Sequence, residues 1–482
     1  MDGLECNELT FDEIMFDNQT KRIDSKFYLK EVIKIKNEIK SRQHFFINPK
    51  NVVSGPFGST MKSDAYLEVG DIPFVRIENI SKGFDIDSKN LVFISNENNN
   101  IIKNSQLFVD DIVLSKVGKI GCFARVDNDI GTCNISENNI GIKLFDVDQS
   151  QKHYILTYLN CKYAQKLIKA RTSGNVQEKL NVSDICYIPI PKFTDRFYKA
   201  ISTYILNSKD LMQKSKKMYF EANKLLKETI GLDCLNKIMK NITTKSSGAS
   251  INFYDRFDAE YYHPKYDVLL DILSKQKTIV LGGENGIVLI KKSIEPGSES
   301  YVEEGIPFIR VSDIDKFGIS DTTIKLSKDI VDNIEDLYPK KDTILLSKDG
   351  SVGIAYKLEE NIEAVTSSAL LHLTVRDLNI ILPDYLTLVL NSPIVQLQAE
   401  RDCNGAIIQH WKPSDVEKVL IPILDMSIQQ EIVEKVQESF RLRRESKKLL
   451  DVAVKSVEMA IETDEETALK WLELQKQRII YV

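Results

Sequence analysis

The sequence predicts an α/β protein: two pseudo-symmetric α/β modules separated by two long antiparallel coiled-coil helices. Three observations predict it. A series of short matches recurs in the same order at nearly one offset. Each copy holds short β-branched runs broken by Gly, Asn, Asp and Ser. Each copy then closes on a long heptad seam.

The repeat sets the architecture. Ile72-Pro73-Phe74-Val75-Arg76-Ile77 returns as Ile306-Pro307-Phe308-Ile309-Arg310-Val311, an offset of 234 (306 − 72). Leu114-Ser115-Lys116 with Gly118 and Gly121 returns as Leu346-Ser347-Lys348 with Gly350 and Gly353. Ser173-Gly174 corresponds to Asn404-Gly405, Ser183-Asp184-Ile185 to Ser414-Asp415-Val416, and Ile188-Pro189-Ile190 to Ile421-Pro422-Ile423. A period this long argues for two copies of one module and against a solenoid.

The elements follow in order. Residues 1–26 form a lead. The first module, 27–193, opens on Phe27-Tyr28 and passes through strand-like runs such as 74–77, 112–115 and 140–144. It ends in an apolar-faced helix over 154–169. A central long helix (194–232) and a linker (233–257) precede the second module (258–424), with its own helix over 384–399. A distal long helix (425–462) and a helical tail (463–482) complete the chain.

The long helices carry matched seams. Phe197, Ile201, Tyr204, Ser208, Leu211, Ser215, Met218, Ala222, Leu225 and Thr229 are spaced alternately by four and three. Adding 231 gives Ile428, Ile432, Lys435, Ser439, Leu442, Ser446, Leu449, Ala453, Ser456 and Ala460, imperfect at Lys435. Small seam residues let two helices approach closely, so the two seams are expected to pair. About 35 residues make a rod of roughly 50 Å.

Composition excludes several classes. The 482 residues carry a net charge of −6, are 43% hydrophobic and 28% charged, and contain no run long and apolar enough for a membrane helix. Met1–Glu5 lacks the pattern of a secretory signal. Seven scattered cysteines with no C-x-x-C pair fit a reducing cytoplasm. The acidic total confines any DNA-binding surface to local patches. There is no P-loop, no G-x-G-x-x-G after a strand, no Asn-Pro-Pro-aromatic tetrad and no G-x-S-x-G elbow. The five histidines lack metal-ligand spacing. The chain therefore reads as non-catalytic, with no metal site and no cofactor of its own. Asp110-Asp111 and Glu303-Glu304 read as solvated loop charge, and Thr463 with Glu466 as a capping box.

The stretch Ser54-Gly55-Pro56-Phe57-Gly58-Ser59, then Lys62-Ser63-Asp64, then Gly70–Arg76, resembles a target-recognition domain of type I restriction–modification specificity subunits. So do Leu114–Lys116 with Gly118, Ile120 and Gly121, and Thr172–Asn175 with Gln177, Leu180-Asn181 and Ser183–Ile185, followed by Ile188–Pro191 and a long helix. The series repeats in the second half, so the resemblance covers roughly residues 25–460. It implies two target-recognition domains reading a bipartite DNA target, with the helices setting the spacer and docking methyltransferase subunits. The implied partners are double-stranded DNA, two copies of an adenine methyltransferase and, in restricting complexes, a translocase-nuclease. AdoMet, and ATP with Mg, would sit on those partners.

Base reading needs donors and acceptors on loops. The first copy offers Ser59, Lys62 and Ser63, then Lys116 and Lys119, then Ser173, Asn175, Gln177 and Lys179. The second offers Lys291, Lys292 and Ser293, then Lys348 and Ser351, then Asn404, Gln409, His410 and Lys412. The loop glycines permit positive-φ turns and close approach to phosphate. Lys214, Lys216, Lys217, Arg441, Arg443, Arg444, Lys447 and Lys448 on the long helices suit phosphates or a partner. Arg76 and Arg310 read as structural, each paired with a nearby carboxylate. Loop differences between the copies predict an asymmetric target. The rival class is a non-catalytic coiled-coil scaffold whose duplicated domains bind protein. A steep salt dependence of DNA binding separates the two.

Overall fold

In strand Ile112–Ser115 all four residues are buried. Ile112 and Leu114 face one core and Val113 faces another. Burial on both faces is what a near-continuous β-branched run requires, and it places this strand between two layers. The computed structural model describes residues 7–15, 18, 20–80, 84–118, 120–174, 178–232, 259–403 and 409–480, the last four as helix backbone only. They form two units, 1–211 with 444–482, and 212–443. The predicted linker 233–257 lies outside the described residues.

In the first unit an antiparallel sheet runs in the order Val52–Ser54, Asn139–Ile142, Ile112–Ser115, Phe123–Arg125. A second sheet joins Val92–Ile94, Ile72–Val75 and Asn134–Ile135, the last pair parallel. Helices Lys30–Lys40, Gln149–Leu159 and Lys162–Arg171 cover the first sheet.

The second unit repeats the plan. Its main sheet runs Val288–Lys292, Leu370–Val375, Ile344–Ser347, Ala355–Lys357. Phe308 pairs in parallel with Val365, as Phe74 does with Asn134. Its helices are Pro264–Ser274, Pro383–Leu390 and Pro393–Asp402.

The single helices expected over 154–169 and 384–399 are each two helices. Asn160 and Asn391 end the first of each pair and donate Nδ2 to Phe123 O (3.3 Å) and Ala355 O (2.7 Å). Pro393 at the second helix start enforces the break in the second unit.

The long helices span Asp195–Ile230 and Met426–Glu462. Their seams meet through serine. In the first unit, Ser208 and Ser446 each donate Oγ to the other's backbone oxygen, at 2.9 and 2.8 Å. In the second unit Ser215 and Ser439 do the same, both at 2.8 Å. Within the second unit Ser215 meets Ser439 and Glu221 meets Lys435, so the two helix segments run antiparallel there. Hydroxyls reach the opposing backbone only because no larger side chain intervenes. Lys435 at the seam is met by Glu221 at 3.6 Å, which answers the imperfection in the heptad.

Two readings are corrected. Asp111 is 2% exposed and accepts from Phe108 N and Leu144 N at 2.9 and 3.0 Å. It is a buried turn anchor, not solvated charge, and burial raises its carboxyl above the usual value. The tail helix Glu465–Ile480 is capped by Asp464, which accepts from Thr467 N at 2.9 Å. Thr463 instead donates back to Met459 O. The tail belongs to the first unit: Ala468, Leu469 and Leu472 are buried there, and Tyr204 donates Oη to Leu472 O at 2.7 Å.

Candidate nucleic-acid interface

Three segments of the first unit converge beyond the strand Ile112–Ser115. Lys116 N donates to Asn138 O, and Leu180 N donates to Lys116 O, both at 2.9 Å. Ser173 and Lys179 exchange backbone hydrogen bonds at 2.9 and 2.8 Å. Lys116 Nζ reaches Ser54 Oγ at 3.4 Å, and Gly58 N donates to Glu137 Oε2 at 2.6 Å. The three predicted loops therefore form one surface. Ser59, Lys62, Ser63, Ser173 and Lys179 are exposed on it, and Lys116 is half-buried. Burial lowers the Lys116 ammonium from its usual value; Glu137 opposes this and Lys179 adds to it. Lys119, Asn175 and Gln177 lie outside the described residues.

The second unit closes the same way. Trp411 N donates to Lys348 O at 2.8 Å, the counterpart of Leu180 N to Lys116 O. Asp349 bridges His410 as Val117 bridges Lys179. Gln409, His410, Lys412 and Ser351 are exposed here; Asn404 lies outside the described residues. His410 Nδ1 lies 2.9 Å from Asp349 Oδ1, and the same carboxylate holds the Lys348 ammonium. Lys348 is thus tied down rather than projecting. Lys291 and Lys292 sit on the edge strand Val288–Lys292, not on a loop, with exposed side chains; half-buried Ser293 follows.

Glycine conformation fixes the turn after each central strand. Gly121 and Gly353 have φ of +89° and +85°. A Cβ at either would fall within 2.6 Å of Gln165 or Gln396, whose Nε2 donates to the glycine oxygen at 2.7 Å in both units. Only glycine satisfies both demands.

The helix cations divide. Lys214, Lys216, Lys217, Arg444, Lys447 and Lys448 are exposed. Arg441 grips Glu438 at 2.7 Å through both Nε and Nη2. The Arg443 guanidinium stacks on Phe317, 3.8 Å from the ring centroid, so it packs a hairpin against the helix. Arg76 and Arg310 pair with Glu78 (2.6 Å) and Asp313 (3.5 Å), as read from the sequence.

Sequence reasoning missed the carboxylates that tie the first loop to the strand turn. In the first unit Glu137 on the turn accepts from the loop. In the second, Glu295 on the loop accepts from Ser368 N and Oγ at 3.0 and 2.9 Å. The bond is conserved in place and reversed in direction, so matching by residue type overlooks it. Phe57, 84% exposed at the loop tip, is a further exposed side chain of this surface.

Residues 285–451 match the family model of the type I restriction modification DNA specificity domain. This specificity-domain segment holds every second-copy candidate from Lys291 to Lys412 and the helix cations Arg441 to Lys448. The resemblance read from the sequence is met there. Among solved structures, the S subunit of a type I restriction–modification system from M. genitalium is similar over 89% of this chain and 95% of its own, at 15% identity and a TM-score of 0.35. The HsdS subunit from Thermoanaerobacter tengcongensis is similar over 88% and 94%, at 15% identity and 0.25. A chain from a structure on complex assembly and conformational transition of the type I R-M system covers 82% and 92%, at 13% identity and 0.27. No curated protein matches the chain. No helix among the described residues is long and apolar enough to cross a membrane.

Proposed function

We propose that the chain is the DNA-specificity subunit of a type I restriction–modification or related methylation and phage-defence complex. One observation carries this. The loop junction inside the matched specificity domain, Lys348 O with Trp411 N, recurs in the first unit as Lys116 O with Leu180 N. Two such junctions give two reading surfaces, hence a bipartite target. Their side chains differ, Lys179 against His410 and Glu137 against Ser368, which favours two different half-sites.

In this reading the paired helices set the spacer, and their exposed lysines meet spacer phosphates or methyltransferase subunits. Phosphate contacts fix register without carrying sequence. Two adenine methyltransferase copies dock, AdoMet resides on them, and ATP with Mg resides on a translocase-nuclease where the complex restricts. The chain itself performs no catalysis, holds no metal and works in the cytoplasm.

The test is purification of the chain from its host with whatever co-purifies, then selection from a random duplex library. A methyltransferase in stoichiometric yield and an enriched motif of two unlike halves support the reading. A log–log salt slope of about −0.9 per phosphate neutralised is expected. No methyltransferase and salt-insensitive DNA binding would overturn it.

A further inference from the structure

We propose that a cleft beside the first loop of the first unit takes an extrahelical nucleobase bearing an exocyclic amine, with Phe57 filling the gap left in the base stack. This deepens the DNA-reading function proposed above and rests on it. The cleft has a volume of about 480 Å³. That falls within the roughly 300–1,000 Å³ typical of ligand clefts. Its apolar wall is Met61, Tyr66 and Phe74, the two rings 5.3 Å apart between centroids. Its polar lining is Arg76, Glu78, Ser136, Glu137 and Asn138.

Arg76 and Glu137 are held in place. The Arg76 guanidinium is fixed by Glu78 at 2.6 Å and by Asn90 O at 2.8 Å. Its Nε is shielded from solvent and meets no hydrogen-bond partner among the described residues. Glu137 spends Oε2 on Gly58 N, which leaves Oε1 to accept from a ligand. A carboxylate accepts only, so it selects an amine, while the Arg76 guanidinium only donates and so selects a neighbouring ring nitrogen or carbonyl. Adenine, cytosine and guanine offer that pairing; thymine has no amine.

The mouth of the cleft carries the wedge. Pro56 and Gly58 line the cleft, and Phe57 between them is 84% exposed. Thr60 N donates to Phe57 O at 2.8 Å and fixes the turn. A large ring at a fixed loop tip in a DNA-facing surface is the kind of apolar side chain that enters a base step and unstacks it. Extruded bases are read by hydrogen bonds to their edges and by packing between aromatic or apolar side chains. The second unit has Ser368 in place of Glu137 and Ser312 in place of Glu78, so the device belongs to one half-site only.

The experiment uses the full chain with its co-purified methyltransferase. Library selection first defines the motif. Duplexes carrying 2-aminopurine at each position of each half in turn are then titrated. Besides the adenine that each methyltransferase copy extrudes, one further position in one half only is expected to brighten by at least about threefold on binding. Glu137→Gln should relax the selected base at that position alone, and Phe57→Ala should abolish the brightening while the other half-site is read unchanged. No such position in either half, or an unchanged motif from Glu137→Gln, overturns the cleft assignment while the DNA reading stands. A library with no enriched motif removes both.

Discussion

Replacing Ser215 by leucine tests the closeness of the helix pair in the second unit. Ser215 is fully buried, and its Oγ lies 2.8 Å from Ser439 O and 3.0 Å from Ser439 Oγ. Ser439 returns a bond of 2.8 Å to Ser215 O. Two hydroxyl protons serve three contacts, so no more than two full hydrogen bonds exist. Ser215→Ala removes one of them without forcing the helices apart and should cost about 1 kcal/mol. Ser439→Ala should cost the same, and the double change about 2 kcal/mol if the two bonds are independent. Ser215→Leu adds three carbons where a hydroxyl already touches backbone. Overpacking adds about 1–3 kcal/mol to the lost bond, about 2–4 kcal/mol in all. Urea unfolding of the full chain, followed by circular dichroism, measures each value. A leucine variant no less stable than the alanine variant would refute the close approach.

His372 is 9% exposed, accepts from or donates to Thr366 Oγ1 at 2.7 Å, and burial with Lys291 nearby pulls its pKa down to about 4. A depressed histidine contributes stability above its unfolded pKa and loses it as pH falls toward 4; between about pH 7.5 and about pH 4.5 the loss should be about 2–3 kcal/mol, and His372→Leu should lack it in a pH series of unfolding curves. Lys357 and Asp384 form a buried pair at 3.0 Å. Asp384→Ala leaves the ammonium buried and should cost about 3–5 kcal/mol by denaturant unfolding, whereas Lys357→Met with Asp384→Leu should cost far less. Leu472→Ala in the tail should destabilise the chain by about 2–5 kcal/mol, with hydrogen exchange rising in residues 195–211 and not in 344–357. Lys179→Ala should cost about 1–3 kcal/mol of DNA binding and relax the selected base in one half-site only, read by library selection.

The frame of each unit was legible because it rests on residues that the chain repeats by type. The serines of the seam, the glycines at 121 and 353 and the Ile-Pro-Phe strand recur at nearly one offset, and the structure uses each the same way in both units. Their roles depend on size and backbone freedom, which the residue name reveals. Charge was less legible. Asp111 reads as surface from its name, and only the two backbone donors around it make burial tolerable. Arg443 reads as a phosphate contact until Phe317, 126 positions earlier (443 − 317), supplies a ring face. Leu144 lies 33 positions from Asp111, and neither it nor Phe317 stands at helical or strand spacing, so no periodicity points to them.

The joint between each recognition module and its long helix carries this furthest. In the first unit Arg125 Nη1 lies 2.9 Å from His153 Nε2, and His153 Nδ1 lies 2.8 Å from Ser202 Oγ on the central helix. A guanidinium only donates, so Nε2 accepts and the proton on Nδ1 goes to the serine. In the second unit Lys357, Asp384 and Gln437 make the same chain of contacts, with Asp384 Oδ2 accepting from Lys357 Nζ and Gln437 Nε2, both at 3.1 Å. Arg125 and Lys357 correspond, as do His153 and Asp384, and each unit places a left-handed aspartate nearby, Asp110 at φ +69° and Asp342 at φ +64°. A cation on the sheet, an acceptor on the covering helix and a polar group on the long helix are kept, while the residues that supply them change. An acceptor can be imidazole or carboxylate only if the cation's other contacts change with it. Arg125 therefore adds Asp85 at 2.9 Å, and Lys357 adds Glu359 at 3.5 Å. Exchanging one member between copies would leave a buried charge without its matched acceptor, so these positions diverge as sets. What is constrained is the joint, which is why the two modules can alter their reading loops and still hold the same attachment to the helices.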